Sequence, residues 1–239
     1  MTGISIIIPA LNEEDNIAAL LNEILLLHDC PIHEIIIVDD GSTDQTALTV
    51  QAIKPNDTRI RLLRHSSRAG QSASLWTGIE AATSTLIIAM DGDGQNDPSD
   101  ISVLYKKWQQ TPPSAMLLIA GQRKKRMDNL VKKFTSRTGN AIRNFLLKDG
   151  VGDTGCSLKL FRREDYLRLP FFNHMHRFLP ALFLREQGEI ILVEVSHRSR
   201  QNGVSKYGFW DRLWAGIFDV FGVLWLKARR RRKVIITEE

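Results

Sequence analysis

Three short polar clusters each follow an apolar run in the first hundred residues: Pro9-Ala10-Leu11-Asn12-Glu13, Asp39-Asp40-Gly41-Ser42 and Asp91-Gly92-Asp93-Gly94-Gln95. Asp91 and Asp93 are two residues apart, with glycine between and after them, so one tight turn can aim both carboxylates at the same cation. Hard Mg2+ or Mn2+ takes a few carboxylate oxygens and completes its octahedron with water and substrate phosphate. Gln95 can add a carbonyl oxygen. No GxxxxGK[ST] or GxGxxG stretch occurs. Any phosphate must therefore be held by a metal and by side chains rather than by a glycine-rich cradle. An Asp after a strand is also a common turn residue and helix cap. The argument for chemistry rests on three clusters recurring at equivalent places.

Those places follow from the elements. Ile4–Ile8 is a β-branched run stopped by Pro9, which predicts a buried parallel strand. Asn12 is expected to cap a helix whose apolar positions are Ile17, Leu20, Leu21, Ile24 and Leu25. Glu34–Val38 predicts a second strand, after which Ser42-Thr43-Asp44 opens another helix. Arg59–Leu63, a helix over 69–82 and Leu86–Met90 continue the alternation. Strand and helix in this order imply an open, mostly parallel α/β sheet with helices on both faces. In such a sheet ligands bind beyond the carboxyl ends of the strands, so the three clusters share one crevice. Further on, 115–120, 157–161 and 189–196 predict strands, 178–186 an apolar helix and 128–147 a basic amphipathic helix.

The chain has 239 residues, 43% hydrophobic and 25% charged, enough to bury a core and unlike a disordered or disulfide-knotted chain. Its net charge of +5 is divided unevenly. Residues 1–120 hold 7 Lys/Arg against 15 Asp/Glu; residues 121–239 hold 25 against 12. An acidic half suits metal and sugar chemistry, whereas a basic half suits phosphates, nucleic acid or an anionic membrane. Cys30 and Cys156 stand alone, without CxxC spacing, which argues against structural zinc and for a reducing compartment. The first residues lack the basic and small-residue marks of a signal peptide, so a cytosolic location is the expectation.

Residues 209–226 carry three of the five Trp and three Phe, and a basic run follows from Lys227. Asp211, Arg212 and Asp219 interrupt the apolar stretch, whereas a spanning helix needs about 20 mostly apolar residues. The pattern predicts an interfacial helix with the basic cluster on anionic lipid. A core helix or a partner-binding helix has the same pattern. The runs Arg123-Lys124-Lys125-Arg126 and Arg229–Arg232 come without any nucleic-acid-binding module, and no nucleic-acid partner is expected.

PALNEEDNI, VDDGSTDQT, DGDGQNDP and HRSRQNGVSKYG together resemble the family 2 glycosyltransferases of GT-A fold, in order from about Ile4 to Tyr207. The similarity is strongest to the branch of dolichyl-phosphate mannosyltransferases and bacterial polyprenyl-phosphate glycosyltransferases. The resemblance implies inverting, metal-dependent transfer of a hexose from a nucleotide diphosphate sugar, of GDP-mannose or UDP-glucose type, to a polyprenyl phosphate. Pro9, Leu11, Glu13, Val38 and Asp40 would then line the nucleotide site, with Leu11 where the family often has Tyr. Asp91, Gly92, Asp93 and Gln95 match the metal-binding DxDxQ set. Arg200, Ser205 and Lys206 match the loop that closes over the donor diphosphate, and Arg123 and Arg137 the residues gripping the acceptor phosphate. Implied partners are the donor, the lipid phosphate, and either an anionic membrane surface or a small membrane subunit reached through 209–232, on the cytosolic face.

A phosphate monoester has a second pKa of about 6 and is largely ionised at pH 7, so a nucleophilic phosphate needs little help from a protein base. The chain has no Ser/His/Asp or Cys/His arrangement, in keeping with that chemistry. Glycosidase chemistry wants opposed carboxylates roughly 5–9.5 Å apart, which neighbours on one turn do not supply. The reading divides the chain into a GT-A domain over 1–208 and an amphipathic helix with basic tail over 209–239. Transfer to a soluble saccharide or protein, and a catalytically silent nucleotide-sugar-binding or membrane-scaffold protein, remain as alternatives. His176 is either a packing residue or part of the donor site; Cys156, Trp76 and Trp108 are read as packing.

Overall fold

A computed structural model describes residues 3–113, 116–123, 146–198 and 209–230. Within these residues seven strands form one sheet: β1 Ile4–Ala10, β2 Ile32–Asp39, β3 Ile60–Arg64, β4 Leu86–Ala89, β5 Leu117–Arg123, β6 Lys159–Arg162 and β7 Glu189–Val195. Their order is β3-β2-β1-β4-β6-β5-β7. All pair in parallel except β6, which runs antiparallel to both β4 and β5. The α-helices are α1 Glu14–Leu25, α2 Thr46–Ile53, α3 Gln71–Ala81, α4 Asp100–Gln110, α5 Arg163–Leu167, α6 Leu179–Arg185 and α7 Phe209–Ala228. This is the mixed, mostly parallel α/β sheet of a GT-A fold.

Alternation along the strands divides the core. Ile6 and Ile8 point to the face covered by Ile17, Leu21 and Ile24 of α1, Val50 of α2 and Leu104 of α4. Ile7 points to the other, against Leu75 and Ile79 of α3, and Leu179 and Phe183 of α6. A Cβ on Gly78 of α3 would stand 2.5 Å from Ile7 Cγ2 and 3.0 Å from Val38 Cγ2. The missing side chain lets α3 lie directly on the sheet. Val223 of α7 is fully buried on this face, and Val220, Leu224 and Leu226 pack beside it.

Several expected boundaries move. Asn12 does not cap α1; it takes a left-handed conformation (φ 50°), and its Oδ1 accepts the Thr43 N–H at 2.8 Å. Its own N–H donates to Ser42 Oγ at 2.9 Å, so the residue staples the loop after β1 to the loop after β2. The next helix starts at Thr46 rather than within Ser42–Asp44; Asp44 Oδ1 accepts both the N–H and the hydroxyl of Thr46. The strand expected over 115–120 is Leu117–Arg123, and that over 157–161 is Lys159–Arg162. The short α5, a helix of five residues, had no expectation. The basic helix expected over 128–147 falls, but for its last two residues, outside the described residues.

At the amino edge of the sheet, buried Glu34 collects Ser5 Oγ (2.6 Å), Thr83 N–H (2.7 Å), Thr83 Oγ1 (2.8 Å) and the Arg61 guanidinium. Burial raises the carboxyl pKa, but the donors from Ser5, Thr83 and Arg61 outweigh it and hold it at about 2. One charge thus ties β1, β2 and β3 to the turn before β4. A carboxyl lowered on folding stabilises fully above its unfolded pKa of about 4.3 and loses that contribution as pH falls through the folded value. Glu34→Gln is therefore expected to destabilise by about 1–3 kcal/mol at pH 7. In urea titrations the gap between variant and wild type should stay constant above about pH 4.5 and shrink towards pH 2.

Candidate donor site at the carboxyl edge of the sheet

Parallel pairing of β1 with β2 and β4 brings the three polar clusters to one edge. Ala10 stands beside Asp39 in the sheet, and the Asp40 N–H donates to the Ala10 carbonyl at 2.9 Å. Met90 N–H donates to Ile7 O at 3.1 Å, continuing β4 into the Asp91–Gln95 turn. A Cβ on Gly92 would meet Pro9 O at 3.2 Å, so this turn folds close over the end of β1.

Collecting carboxylates at one edge requires compensation. Asp39 is fully buried and accepts Arg64 Nε at 3.0 Å and the Ser42 N–H at 2.9 Å. Asp40 is also buried; its two oxygens accept the N–H groups of Ala69 and Gly70, both at 2.8 Å, and Oδ1 pairs with His65 Nδ1 at 2.8 Å. His65 Nε2 lies 3.0 Å from Thr77 Oγ1, which orients the ring. Asp40 therefore anchors the segment that leads into α3. Val38 is completely buried beneath α3, whereas Pro9, Leu11 and Glu13 are partly exposed at the crevice. Glu13 precedes α1, with its Oε2 on Asn16 Nδ2 and its N–H on Thr46 Oγ1.

Asp91 Oδ1 accepts Gln71 Nε2 from the first residue of α3 at 2.6 Å, and its N–H donates to Ser157 Oγ at 3.2 Å. Asp93 Oδ1 accepts the Gln95 N–H at 3.1 Å. The Ser157 side chain also lies within hydrogen-bonding reach of the Asp91 carboxyl, whereas no described residue hydrogen-bonds to the second oxygen of Asp93. Burial, and then repulsion from Asp93, push the Asp91 carboxyl up to about 6. An Asp91 carboxylate destabilised by its neighbour Asp93, with the Gln95 amide two residues beyond Asp93, fits a hard divalent cation completed by water and phosphate. Among the described residues no group of three or more His, Cys, Asp and Glu gathers as a complete metal site. The arrangement is that of an open site.

Behind Asp91 stands Lys159, buried in mid-sheet and registered with Ala89 on one side and Ala120 on the other. Those small neighbours leave room for its chain, and Nζ donates to the Cys156 carbonyl. Burial lowers the lysine pKa, and Cys156, Asp91 and Asp153 oppose that shift. Arg123, at the end of β5, makes a two-pronged pair with Asp153: Nε to Oδ2 at 2.5 Å and Nη2 to Oδ1 at 2.7 Å. After β7, the Arg198 N–H donates to Gln95 O at 3.0 Å, and its guanidinium pairs with Asp97 and Glu23. Arg137, Arg200, Ser205 and Lys206 lie outside the described residues.

Sequence reasoning missed Gln71, Ser157, Lys159, Asp153 and the pairing of His176 with Ser72. A lysine within the apolar run Leu158–Phe161 was the one local sign of a buried charge. The others are ordinary polar residues in loops or helices, and only their long-range partners mark them.

Asp40→Asn replaces one oxygen with an amino group that faces a donor. Losing one such hydrogen bond is expected to cost about 1–3 kcal/mol of unfolding free energy. Thermal unfolding of the variant beside the wild type checks the loss.

Residues 5–169 match the sequence profile described as glycosyl transferase family 2. The dodecaprenyl-phosphate galacturonate synthase of Rhizobium johnstonii is 32% identical over 235 residues, covering 96% of this chain and 68% of that protein. The undecaprenyl-phosphate 4-deoxy-4-formamido-L-arabinose transferase of Photorhabdus laumondii is 30% identical over 209 residues, covering 86% of this chain and 63% of that protein. The chain thus spans about two thirds of the length of these relatives. Among solved structures, glucosyl-3-phosphoglycerate synthase from Mycobacterium tuberculosis, crystallised with Mn2+, UDP and its product, superposes with a TM-score of 0.71 at 21% identity, over 94% of this chain and 79% of that one. That likeness shows the GT-A fold. Together with the profile match over most of the chain, it makes this protein a glycosyltransferase: the chain belongs to glycosyl transferase family 2.

Proposed function

We propose that the protein transfers a hexose or related sugar from a nucleotide diphosphate donor to a polyprenyl phosphate, with inversion, at the cytosolic face of a membrane. The observation that carries the reading is the convergence of Asp91 and Asp93 with the ends of β1 and β2, in a chain whose relatives are named for polyprenyl-phosphate products. Asp91, Asp93 and Gln95 would hold Mg2+ or Mn2+, which supplies positive charge opposite the leaving diphosphate. Pro9, Leu11, Glu13 and Asp40 border the nucleotide end. The Arg198 N–H donates to Gln95 O, which ties the end of β7 to the same turn; Arg200, Ser205 and Lys206, further along the sequence, would close over the donor diphosphate as the family resemblance implies. Such a loop would exclude water from the reacting groups. Arg123 and Arg137 would receive the acceptor phosphate, and the Asp153 pair fixes the orientation of the Arg123 fork. The acceptor is itself ionised, so in-line placement does the remaining work.

The membrane role falls to α7 and the basic tail, 209–239, next to the catalytic domain of 1–208. Phe218, Phe221 and Trp225 recur at helical spacing and are all more than half exposed, opposite the face that Val223 buries in the core. Arg229 stacks on Trp225, 5.9 Å from the ring centroid. Among the described residues no helix is long and apolar enough to cross a membrane. An outward aromatic stripe next to a basic run suits shallow insertion beside anionic headgroups. A small membrane subunit docking on the same stripe is the other outcome of the test.

Two experiments test this reading. Radiolabelled transfer from a panel of GDP- and UDP-sugars to short-chain polyprenyl phosphate should give an organic-extractable product with Mg2+ or Mn2+. Asp93→Asn should lower it by at least 10²-fold, on the scale of losing one preorganised electrostatic element. No product from any donor, despite nucleotide-sugar binding, would reassign the acceptor. In flotation assays with anionic vesicles, replacing Phe218, Phe221 and Trp225 together by Ser should release the protein while leaving its thermal unfolding unchanged. Retention of the triple variant on vesicles would overturn the lipid contact.

A further inference from the structure

His176 belongs to the short turn Met175–Arg177 before α6, and the transfer chemistry proposed above gives it no task. Its Nδ1 lies 2.8 Å from Ser72 Oγ, and its backbone N–H donates to the same oxygen at 3.3 Å. The hydroxyl oxygen accepts the backbone proton, and no other described acceptor competes with Nδ1 for the hydroxyl hydrogen, an arrangement in which Nδ1 accepts. A ring nitrogen that accepts leaves the hydrogen on Nε2. Burial, together with the nearby charges of Arg177 and Lys159, opposes a second proton and keeps the ring neutral.

The turn is held from both sides. Met175 is fully buried, and His174, in a left-handed conformation (φ 68°), places Nδ1 3.0 Å from Asp219 Oδ2 of α7. Ser72 follows Gln71, whose amide rests on Asp91. Lys159, registered with Ala89 and Ala120, interacts electrostatically with both His176 and Asp91. The imidazole is thus held by the helix residue that follows Gln71 in sequence. No described residue hydrogen-bonds to Nε2.

We infer that His176, locked by Ser72, presents its Nε2–H as a neutral, directional donor to a hydroxyl oxygen of the donor sugar, making it a specificity residue of the donor site. The inference rests on the sugar-transfer reading above. A charged group would suit a phosphate; a single uncharged N–H of fixed direction suits a hydroxyl, whose discrimination depends on a site's polar groups being matched. The Ser72 lock matters because a free imidazole would offer its hydrogen on either nitrogen.

The test compares calorimetric affinities for a nucleotide sugar and for the nucleoside diphosphate alone, using the full chain with Mn2+ and the donor that the transfer panel selects, or UDP-glucose and GDP-mannose if none is selected. His176→Ala should weaken the nucleotide sugar roughly tenfold, as loss of one hydrogen bond implies, and leave the diphosphate unchanged. His176→Gln, which can place an N–H near the Nε2 position, should recover most of the loss. Ser72→Ala should fall between Ala and wild type. A general loosening of the turn would lower both affinities and the unfolding temperature together, and that result would overturn the inference. So would an unchanged ratio, or an effect confined to polyprenyl phosphate. If wild type binds no nucleotide sugar, the transfer reading fails with it, whereas an unchanged ratio in a working enzyme sinks only the role of His176.

Discussion

Parallel strands end at the same edge, so a sheet that carries acidic residues after β1, β2 and β4 must bring like charges together. Most of the polar structure around the crevice answers that repulsion. Asp39 is neutralised by Arg64, Asp40 by two backbone N–H groups and His65, and Asp91 by an amide from Gln71 with Lys159 behind it. The compensation is graded. Asp39 has a full guanidinium partner and Asp40 three donors, whereas Asp93 keeps an oxygen to which no described residue donates and its charge raises the neighbouring Asp91. The pair left short of positive charge is the one suited to a divalent cation.

Antiparallel β6 makes the rest possible. Inserted between β4 and β5, it carries Lys159 into the sheet between two alanines, and Ser157 and Asp153 just before it reach Asp91 and Arg123. The acidic first half and basic second half of the chain are thereby interleaved at one edge. The same logic places Arg198 across Asp97 and Glu23, fastening the strand end that precedes Arg200 to the turn containing Gln95. Charge asymmetry along the sequence becomes charge complementarity in space.

Much of this was legible in the chain. Short β-branched runs broken by Pro or Asp-Gly read as buried parallel strands because both faces of such strands must be apolar. Ile4–Ile8 and Leu86–Met90 were found within one or two residues for that reason. The Asp91–Gln95 cluster could be read because both carboxylates lie on one turn, a property of local spacing alone. Asn12 misled because its residue type suits both a helix cap and a left-handed staple. The choice fell to the partner, Thr43, thirty-one residues away.

By itself, then, the sequence determined the alternation of strands and helices, the acidic residues at their ends, and the family to which the motifs belong. These follow from local sterics, hydrophobic period and short-range spacing. The tertiary structure decided which donors answer each carboxylate: Gln71 for Asp91, Asp153 for Arg123, Glu34 for Arg61 and Ser72 for His176. It also decided that α7 buries Val223 and turns Phe218, Phe221 and Trp225 outward. Such pairings join residues from 20 to 104 positions apart. Polar side chains carry no periodic signal to announce them; a hydrogen bond depends on distance and direction in space, and only packing supplies those.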